Sequence, residues 1–239
     1  MPAASQILRE KFKQADDIRD AGLTTPEEIE RRDDIVYGND PVWESLDVYR
    51  PRSLAGQKLP VIVSVHGGGW VYGDKQRYQY YCMDLSLRGF AVVNFSYRLA
   101  PENKFPASME DVNAVFRWTL DHAEEYGFDV RRIYAVGDSA GAHQLALYCC
   151  ICADPAYAAN YPFSTPAGFL PAAVALNCGA YGMSGPSAEA RSPLMAEYLP
   201  GGGTEEELAL IDVLRHIPEG FPPAFIMTAM GDFLKDQAR

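Results

Sequence analysis

The sequence predicts an α/β fold, a mostly parallel sheet with helices on both faces. Three observations carry this. Short apolar runs of strand length alternate with helical stretches of about ten residues or more, the pattern of a sheet covered on both sides. One run, ending at Val136, passes through Gly137-Asp138-Ser139-Ala140-Gly141 directly into an Ala/Leu-rich helical stretch, 142–152. Another, Leu59-Pro60-Val61-Ile62-Val63-Ser64-Val65, runs into His66-Gly67-Gly68-Gly69-Trp70. The two junctions belong to strands of one plausible sheet.

Taken in order, residues 5–21 read as a helix: Ile7, Leu8, Phe12, Ala15 and Ile18 recur near a 3.6-residue period, and Gly22 follows as a stop. Thr25-Pro26-Glu27-Glu28 offers an N-cap, a proline at the first helical position and a glutamate three residues after the cap, so a second helix is expected there. Opening strands fall at 34–37 and 44–49, the second alternating Leu46 and Val48 with Asp47 and Tyr49. After a turn at 51–58 and the strand at 59–65, a helix at 78–88 ends at Gly89 and a strand follows at 90–95. A helix at 108–125 carries Val112, Val115, Phe116 and Leu120 on one face, with Gly127 beyond it. The stretch 154–171, rich in Pro, Tyr and Ala, reads as a loop, and 172–177 as a strand. No strong periodicity marks 179–200. Gly201-Gly202-Gly203 then leads into a capped helix at 204–214, and 223–230 is the last strand.

At 239 residues the chain is expected to form one domain with a large core. The net charge of −11, with no Lys/Arg block, argues against nucleic acid or anionic membrane as partner. Residues 1–13 are charged and lack the apolar core of a signal peptide, and no run approaches a membrane span, so a cytoplasmic location is expected. Of the five cysteines, Cys149, Cys150 and Cys152 crowd one helix where they cannot all pair, and none stands at zinc spacing. Reduced thiols are expected, with no metal and no cofactor.

The chemistry lies in the two glycine-flanked junctions. A tight strand-to-helix turn leaves no room for side chains beside Ser139, and it projects the hydroxyl from the end of the sheet above a helix N-terminus that favours negative charge. Consecutive glycines after a strand leave backbone N–H groups free to meet a ligand, which is what an oxyanion hole requires. With Tyr97-Arg98-Leu99-Ala100-Pro101-Glu102 and Phe105-Pro106-Ala107 between them, these motifs make the chain resemble the hormone-sensitive-lipase-like family of α/β-hydrolase esterases, over roughly residues 45 to 239.

The resemblance implies acyl transfer, in which Ser139 attacks an ester carbonyl, a histidine takes its proton and Asp232 orients that histidine. It places the oxyanion on the N–H groups of Gly68, Gly69 and Ala140, and puts Gly67, Trp70 and Tyr181 at the substrate, Gly67 also placing the turn. Gly231-Asp232-Phe233-Leu234-Lys235-Asp236 resembles the family's Asp-Pro-Leu-x-Asp motif with Phe233 in place of the proline. Asp236 is the alternative acid. Asp138 is expected to tie down the elbow. The family's cap corresponds to the N-terminal helices within 1–33 and to 179–216, where Tyr181, Met183, Leu194, Met195 and Tyr198 are candidates for an acyl pocket. The alternative is plain packing, of the helices on the outside of the sheet and of the side chains under a loop.

No histidine follows Asp232. His66 is expected to shape the glycine loop, His122 to sit in solvent near a helix end, His143 to point away from Ser139 one turn along the helix, and His216 to lie at the far end of the sheet. The chain is therefore either a truncated part of a working esterase or a degenerate relative, and its intact motifs favour the first. Truncation would leave 223–230 as an open edge, completed by a severed C-terminal part or a second copy. The expected activity is hydrolysis of short-chain acyl esters, including acetyl groups on carbohydrate. The rival reading is a non-catalytic protein of the same fold that binds a small ligand. A peptidase is weaker, because no additional large domain is present to select peptides.

Overall fold

The computed structural model describes residues 3–184 and 192–238. Among them, seven strands form one sheet in the order β1-β2-β4-β3-β5-β6-β7. The strands are β1 (Ile29–Val36), β2 (Ser45–Pro51), β3 (Leu59–Val65), β4 (Ala91–Phe95), β5 (Phe128–Asp138), β6 (Val174–Asn177) and β7 (Ala224–Met227). β1 and β2 are antiparallel additions; β4, β3, β5, β6 and β7 run parallel, with Val63 level with Val93 and Ala135. The serine turn and the glycine loop therefore leave adjacent strands at the same edge, where Val65, the last residue of β3, lies level with Gly137 of β5.

The helices are α1 (Ala4–Asp20), α2 (Lys75–Leu87), α3 (Ala107–Asp121), α4 (Ala123–Tyr126), α5 (Ala140–Ala153), α6 (Pro155–Ala158), α7 (Pro193–Tyr198), α8 (Glu205–Leu210) and α9 (Val213–His216). Strand alternation sorts the core into two layers. Val61, Val63, Val65, Val93 and Ala135 pack with Val112 and Phe116 of α3 and Leu145 of α5. Ile62, Val92 and Val136 turn the other way, onto Cys82 and Met83 of α2. Past α2 this second face opens into a groove of ≈ 400 Å³ lined by Tyr134, Ala175, Phe225 and Met227. β7 pairs with β6 alone among the described strands, and all four of its residues are exposed.

Local physics moved several boundaries. The expected helix at 25–28 is absent: a turn closed by the Ile29 N–H on the Pro26 carbonyl (3.1 Å) leads straight into β1. Its cap had no amphipathic run behind it. The apolar Ile29 is buried as a strand residue, and pairing with β2 satisfies the backbone of the charged stretch that follows. Within 1–33 there is thus one helix among the described residues, and 29–33 belongs to the sheet. Asp74 caps α2 by accepting from the Arg77 N–H (2.9 Å), starting it before the apolar pattern is visible. The helix expected at 108–125 breaks into α3 and α4 at His122. The stretch expected at 204–214 splits likewise into α8 and α9, with Asp212 accepting from the Leu214 N–H (3.1 Å).

Candidate active site

Ser139 stands between β5 and α5 with φ 50° and ψ −116°, a conformation costing on the order of 1–3 kcal/mol for a residue with a Cβ. Its neighbours hold it there. A Cβ at Gly141 would lie 2.1 Å from the Val65 carbonyl oxygen, and one at Gly137 2.7 Å from the Gly141 carbonyl. The Ser139 N–H donates to the Asn177 carbonyl of β6 (2.9 Å), and the hydroxyl is not spent on capping α5.

The glycine loop is comparably constrained. Gly68 sits at φ 123°, where a Cβ would meet the Tyr72 carbonyl oxygen at 2.1 Å; Gly69 and Trp70 follow at φ 62° and 63°. The Gly68 carbonyl accepts from the N–H groups of Val71 and Tyr72, while no described acceptor takes the N–H of Gly68 or Gly69. Gly67 is different. Its N–H is committed to Asp138 Oδ1 (3.1 Å) and the Tyr78 hydroxyl (3.0 Å), so it anchors the loop and has no N–H left for a substrate. The Asp138 carboxyl is pushed up to about 6 by burial, with the bonds from Tyr78 and Gly67 pulling the other way.

Ser139 opens onto a cleft of ≈ 220 Å³ whose walls are Gly69, Trp70 and Ala180, Leu8 and Phe12 of α1, Ser192 and Leu194 at the start of α7, and Phe233 and Leu234. Trp70 belongs to it; Tyr181 does not. Tyr181 is buried with its ring against Gly179, and Met183, Met195 and Tyr198 are buried in the core, so of the expected pocket residues Leu194 alone lines the cleft. Residues 185–191 of the expected cap lie outside the described residues. Leu8, Phe12, Ala180, Ser192 and Leu234 were not singled out from sequence; the spacing of Leu8 and Phe12 marked an apolar helix face without saying what it would meet.

Asp232 follows β7, the next strand but one from β5, in a turn where its Oδ1 accepts from the Leu234 N–H (2.7 Å). Its carboxylate also takes a hydrogen bond from the Cys178 thiol, which raises that thiol's pKa. Asp236 is exposed on the short 3-10 turn that follows. None of the four histidines is placed as a base. His66 is buried, stacked on Tyr97 (4.0 Å) with Nδ1 against the Gly67 carbonyl (2.8 Å). His143 is buried with both nitrogens used: Nε2 donates to the Ile211 carbonyl (2.8 Å) and Nδ1 accepts from Trp70 Nε1 (3.2 Å). Burial lowers both rings to about 4. His122 is half-buried against Trp118 instead of in solvent. His216 stacks on Tyr157 and bonds the Ala209 carbonyl through Nε2 (2.8 Å). The five cysteines are unpaired, and no group of three His, Cys, Asp or Glu among the described residues is arranged to hold a metal. No described helix is long and apolar enough to cross a membrane.

Comparison with known proteins agrees with this geometry. The BD-FAE family model matches residues 46–232. Carboxylesterase NlhH of Mycobacterium tuberculosis is 32% identical over 204 residues, 79% of this chain and 61% of that protein. Esterase LipC of the same organism is 33% identical over 129 residues, 54% of this chain and 32% of that protein. The chain thus spans between about a third and two thirds of these curated relatives. Among solved structures, esterase B from Lactobacillus rhamnosis superposes with a TM-score of 0.87 at 25% identity, covering 98% of this chain and 76% of that one. A Pyrobaculum calidifontis esterase gives 0.76 at 26% identity, covering 98% and 77%. A strained serine at a strand-to-helix turn, a glycine loop on the neighbouring strand and an acid after β7 accompany a family model spanning most of the sequence: the chain belongs to the BD-FAE family and has the α/β-hydrolase fold of carboxylic ester hydrolases.

Proposed function

We propose that this chain carries the serine, the oxyanion site and the acid of a carboxylic ester hydrolase working through an acyl-enzyme. One observation carries the reading: Ser139 and the glycine loop open together onto an apolar cleft at the end of the sheet. Ser139 Oγ attacks the ester carbonyl, and the N–H groups of Gly68, Gly69 and Ala140 hold the oxyanion; one such donor is worth about 3–4 kcal/mol in known cases. The helix N-terminus at Ala140 adds its positive end. Asp232 orients the base. None of the four histidines in this sequence is placed to be that base, since each is committed elsewhere.

Short acyl chains suit a cleft of ≈ 220 Å³ closed by Leu8, Phe12 and Leu194. In support, esterase B of Lactobacillus rhamnosis has been crystallised with a tributyrin phosphonate inhibitor. Carbohydrate acetyl esters are of the right size. The test is chemical rescue. The 239-residue chain is incubated with p-nitrophenyl acetate with and without imidazole, beside Ser139→Ala, and acetylation is mapped by mass spectrometry. We expect an imidazole-dependent acetyl adduct on Ser139, absent in the variant, and no Ser139-dependent turnover without imidazole. Equal acetylation in both proteins overturns the reading and favours a non-catalytic ligand-binding protein. Robust Ser139-dependent turnover without imidazole overturns the exclusion of the four histidines and returns suspicion to His143.

A further inference from the structure

The glycine loop keeps an unfavourable shape. Gly68, Gly69, Trp70 and Gly73 all have positive φ, so its course depends on ties to the rest of the molecule. Some are generic: the Tyr97 hydroxyl donates to the His66 carbonyl (2.9 Å), and Arg9 Nε to the Val71 carbonyl (2.7 Å). One is a closed triangle. The Tyr78 hydroxyl accepts from the Gly67 N–H (3.0 Å) and donates to Asp138 Oδ2 (2.8 Å), while the same N–H reaches Asp138 Oδ1 (3.1 Å). It joins three pieces of chain: α2, the first glycine of the loop, and the residue just before Ser139.

We propose that Tyr78 is a positioning residue that braces the glycine loop against the serine turn, so that Gly68 and Gly69 keep one place relative to Ser139. This deepens, and rests on, the reading of that loop as the oxyanion site. Three features support it. A hydroxyl is the side-chain group that both donates and accepts here, and phenylalanine would lose both bonds while filling the same space. Burial holds the phenol well above its ordinary pKa, so it remains a donor. Tyr78 is itself fixed, because α2 is pinned to the sheet by buried Cys82 and Met83 and by Lys75, which pairs with Asp47 (2.6 Å) and Asp34 (2.7 Å).

Asp138 serves the brace and is no rival acid. With Tyr78 it borders a separate hollow of ≈ 530 Å³, whereas Ser139 borders the smaller cleft. The other titratable groups facing its carboxyl are Arg19 of α1, Tyr81 and Cys82 of α2, Tyr97 after β4 and Cys178 after β6.

The test reads the loop directly and needs no catalysis. Glycine-selective 15N labelling of the 239-residue chain, at a dilution where it runs as one species, follows the Gly67, Gly68 and Gly69 amides against pH. In the wild type the Gly67 signal should titrate with a midpoint near the carboxyl's value of about 6. Tyr78→Phe should raise that midpoint by roughly half to one unit, because a donor to the anion is lost. It should also lower the Gly68 and Gly69 amide order parameters, read by 15N relaxation, from the rigid range of about 0.85 to below about 0.6, leaving Gly137 unchanged. Asp138→Asn should abolish the titration. Asp138→Ala, which leaves the Tyr78 ring in place, should lower the same two order parameters. Unchanged Gly68 and Gly69 order parameters in both Tyr78→Phe and Asp138→Ala overturn the proposal, as does an equal drop at Gly137, which would mean general loosening. If Tyr78→Phe does not fold, Asp138→Ala alone decides. Failure of the imidazole rescue leaves these amide measurements readable, so the two ideas fail separately.

Discussion

Single residues carry constraints of two kinds, and they predict different costs. Gly141 meets backbone: its missing Cβ is the reason α5 can approach β3 at the Val65 carbonyl. Gly141→Ala should therefore destabilise the fold by about 3 kcal/mol or more, since neither backbone can yield cheaply. Gly56 also has positive φ (75°) but faces open space, so Gly56→Ala should cost only about 1 kcal/mol. Urea unfolding of the two variants checks the contrast. Buried titratable groups make a second prediction. His66 and His143 are held neutral down to about 4, so between there and 6.5 the unfolded chain binds more protons; their contribution is complete above 6.5 and is lost as pH falls toward 4. Asp138, raised to about 6, acts in the opposite sense, because the folded chain takes its proton first and stability from this group grows as pH falls from 6 to 3.8. Asp138→Asn removes that opposing slope. Its stability should fall more steeply than the wild type's between pH 6 and 4, by about 1 kcal/mol per pH unit. Parallel slopes in denaturation series at several pH values would contradict the assignment.

At the scale of elements, α1 shows what an amphipathic pattern says and omits. The spacing of Leu8 and Phe12 marks a face, but it leaves open whether that face lies on the sheet or over the site. Side chains elsewhere decide it. Arg9 reaches the carbonyls of Val71 (2.7 Å) and Ala100 (2.9 Å) and pairs with Glu102 (2.6 Å). The Ser5 N–H donates to Glu197 of α7, and the Tyr72 hydroxyl to Asp16 (2.8 Å). These ties lay α1 along the glycine loop and over Ser139. Phe12→Ala should lengthen the cleft without unfolding the sheet. The wild type should prefer p-nitrophenyl butyl ether over the decyl ether, and the variant should reduce that preference about fivefold, as loss of roughly 1 kcal/mol of apolar contact implies. Quenching of tryptophan emission by the nitrophenyl group reports binding, because Trp70 lines the cleft. An unaltered preference would remove α1 from the substrate wall.

For the whole molecule, the open side of the sheet dominates behaviour. Phe225, Ile226 and Met227 of β7 and the nearby Met230 and Phe233 are all exposed, Phe233 at 84% and Met230 at 86%. A strand with an unpaired edge and an apolar face invites further chain. We expect the isolated chain to self-associate reversibly, more strongly at high salt, which screens the repulsion of its net −11 charge. Ile226→Lys should weaken association about tenfold, as replacing a half-exposed apolar contact by a charge implies. Sedimentation velocity across concentration and salt checks this; a monomer insensitive to both would show that the edge is inert.

What the sequence determined by itself was whatever nearest-neighbour physics dictates. Glycines around Ser139, three glycines after β3, alternating valines and the run ending at Asp232 each specify a local geometry that few other sequences satisfy, so the fold and the site's backbone framework were legible. The tertiary structure decided the partners. Tyr181 and Trp70 were indistinguishable as candidate pocket aromatics until packing buried one against Gly179 and set the other at the cleft. Gly67 and Gly68 are neighbours in one motif, yet the Gly67 N–H is consumed by Asp138, 71 positions away, and by Tyr78. The cap signature at Thr25 yielded to strand pairing because a cap contributes about 1 kcal/mol, whereas a strand without its neighbour leaves a whole row of backbone groups unpaired. Local signals name the groups a site contains; burial and long-range hydrogen bonds decide which of them remain free to act.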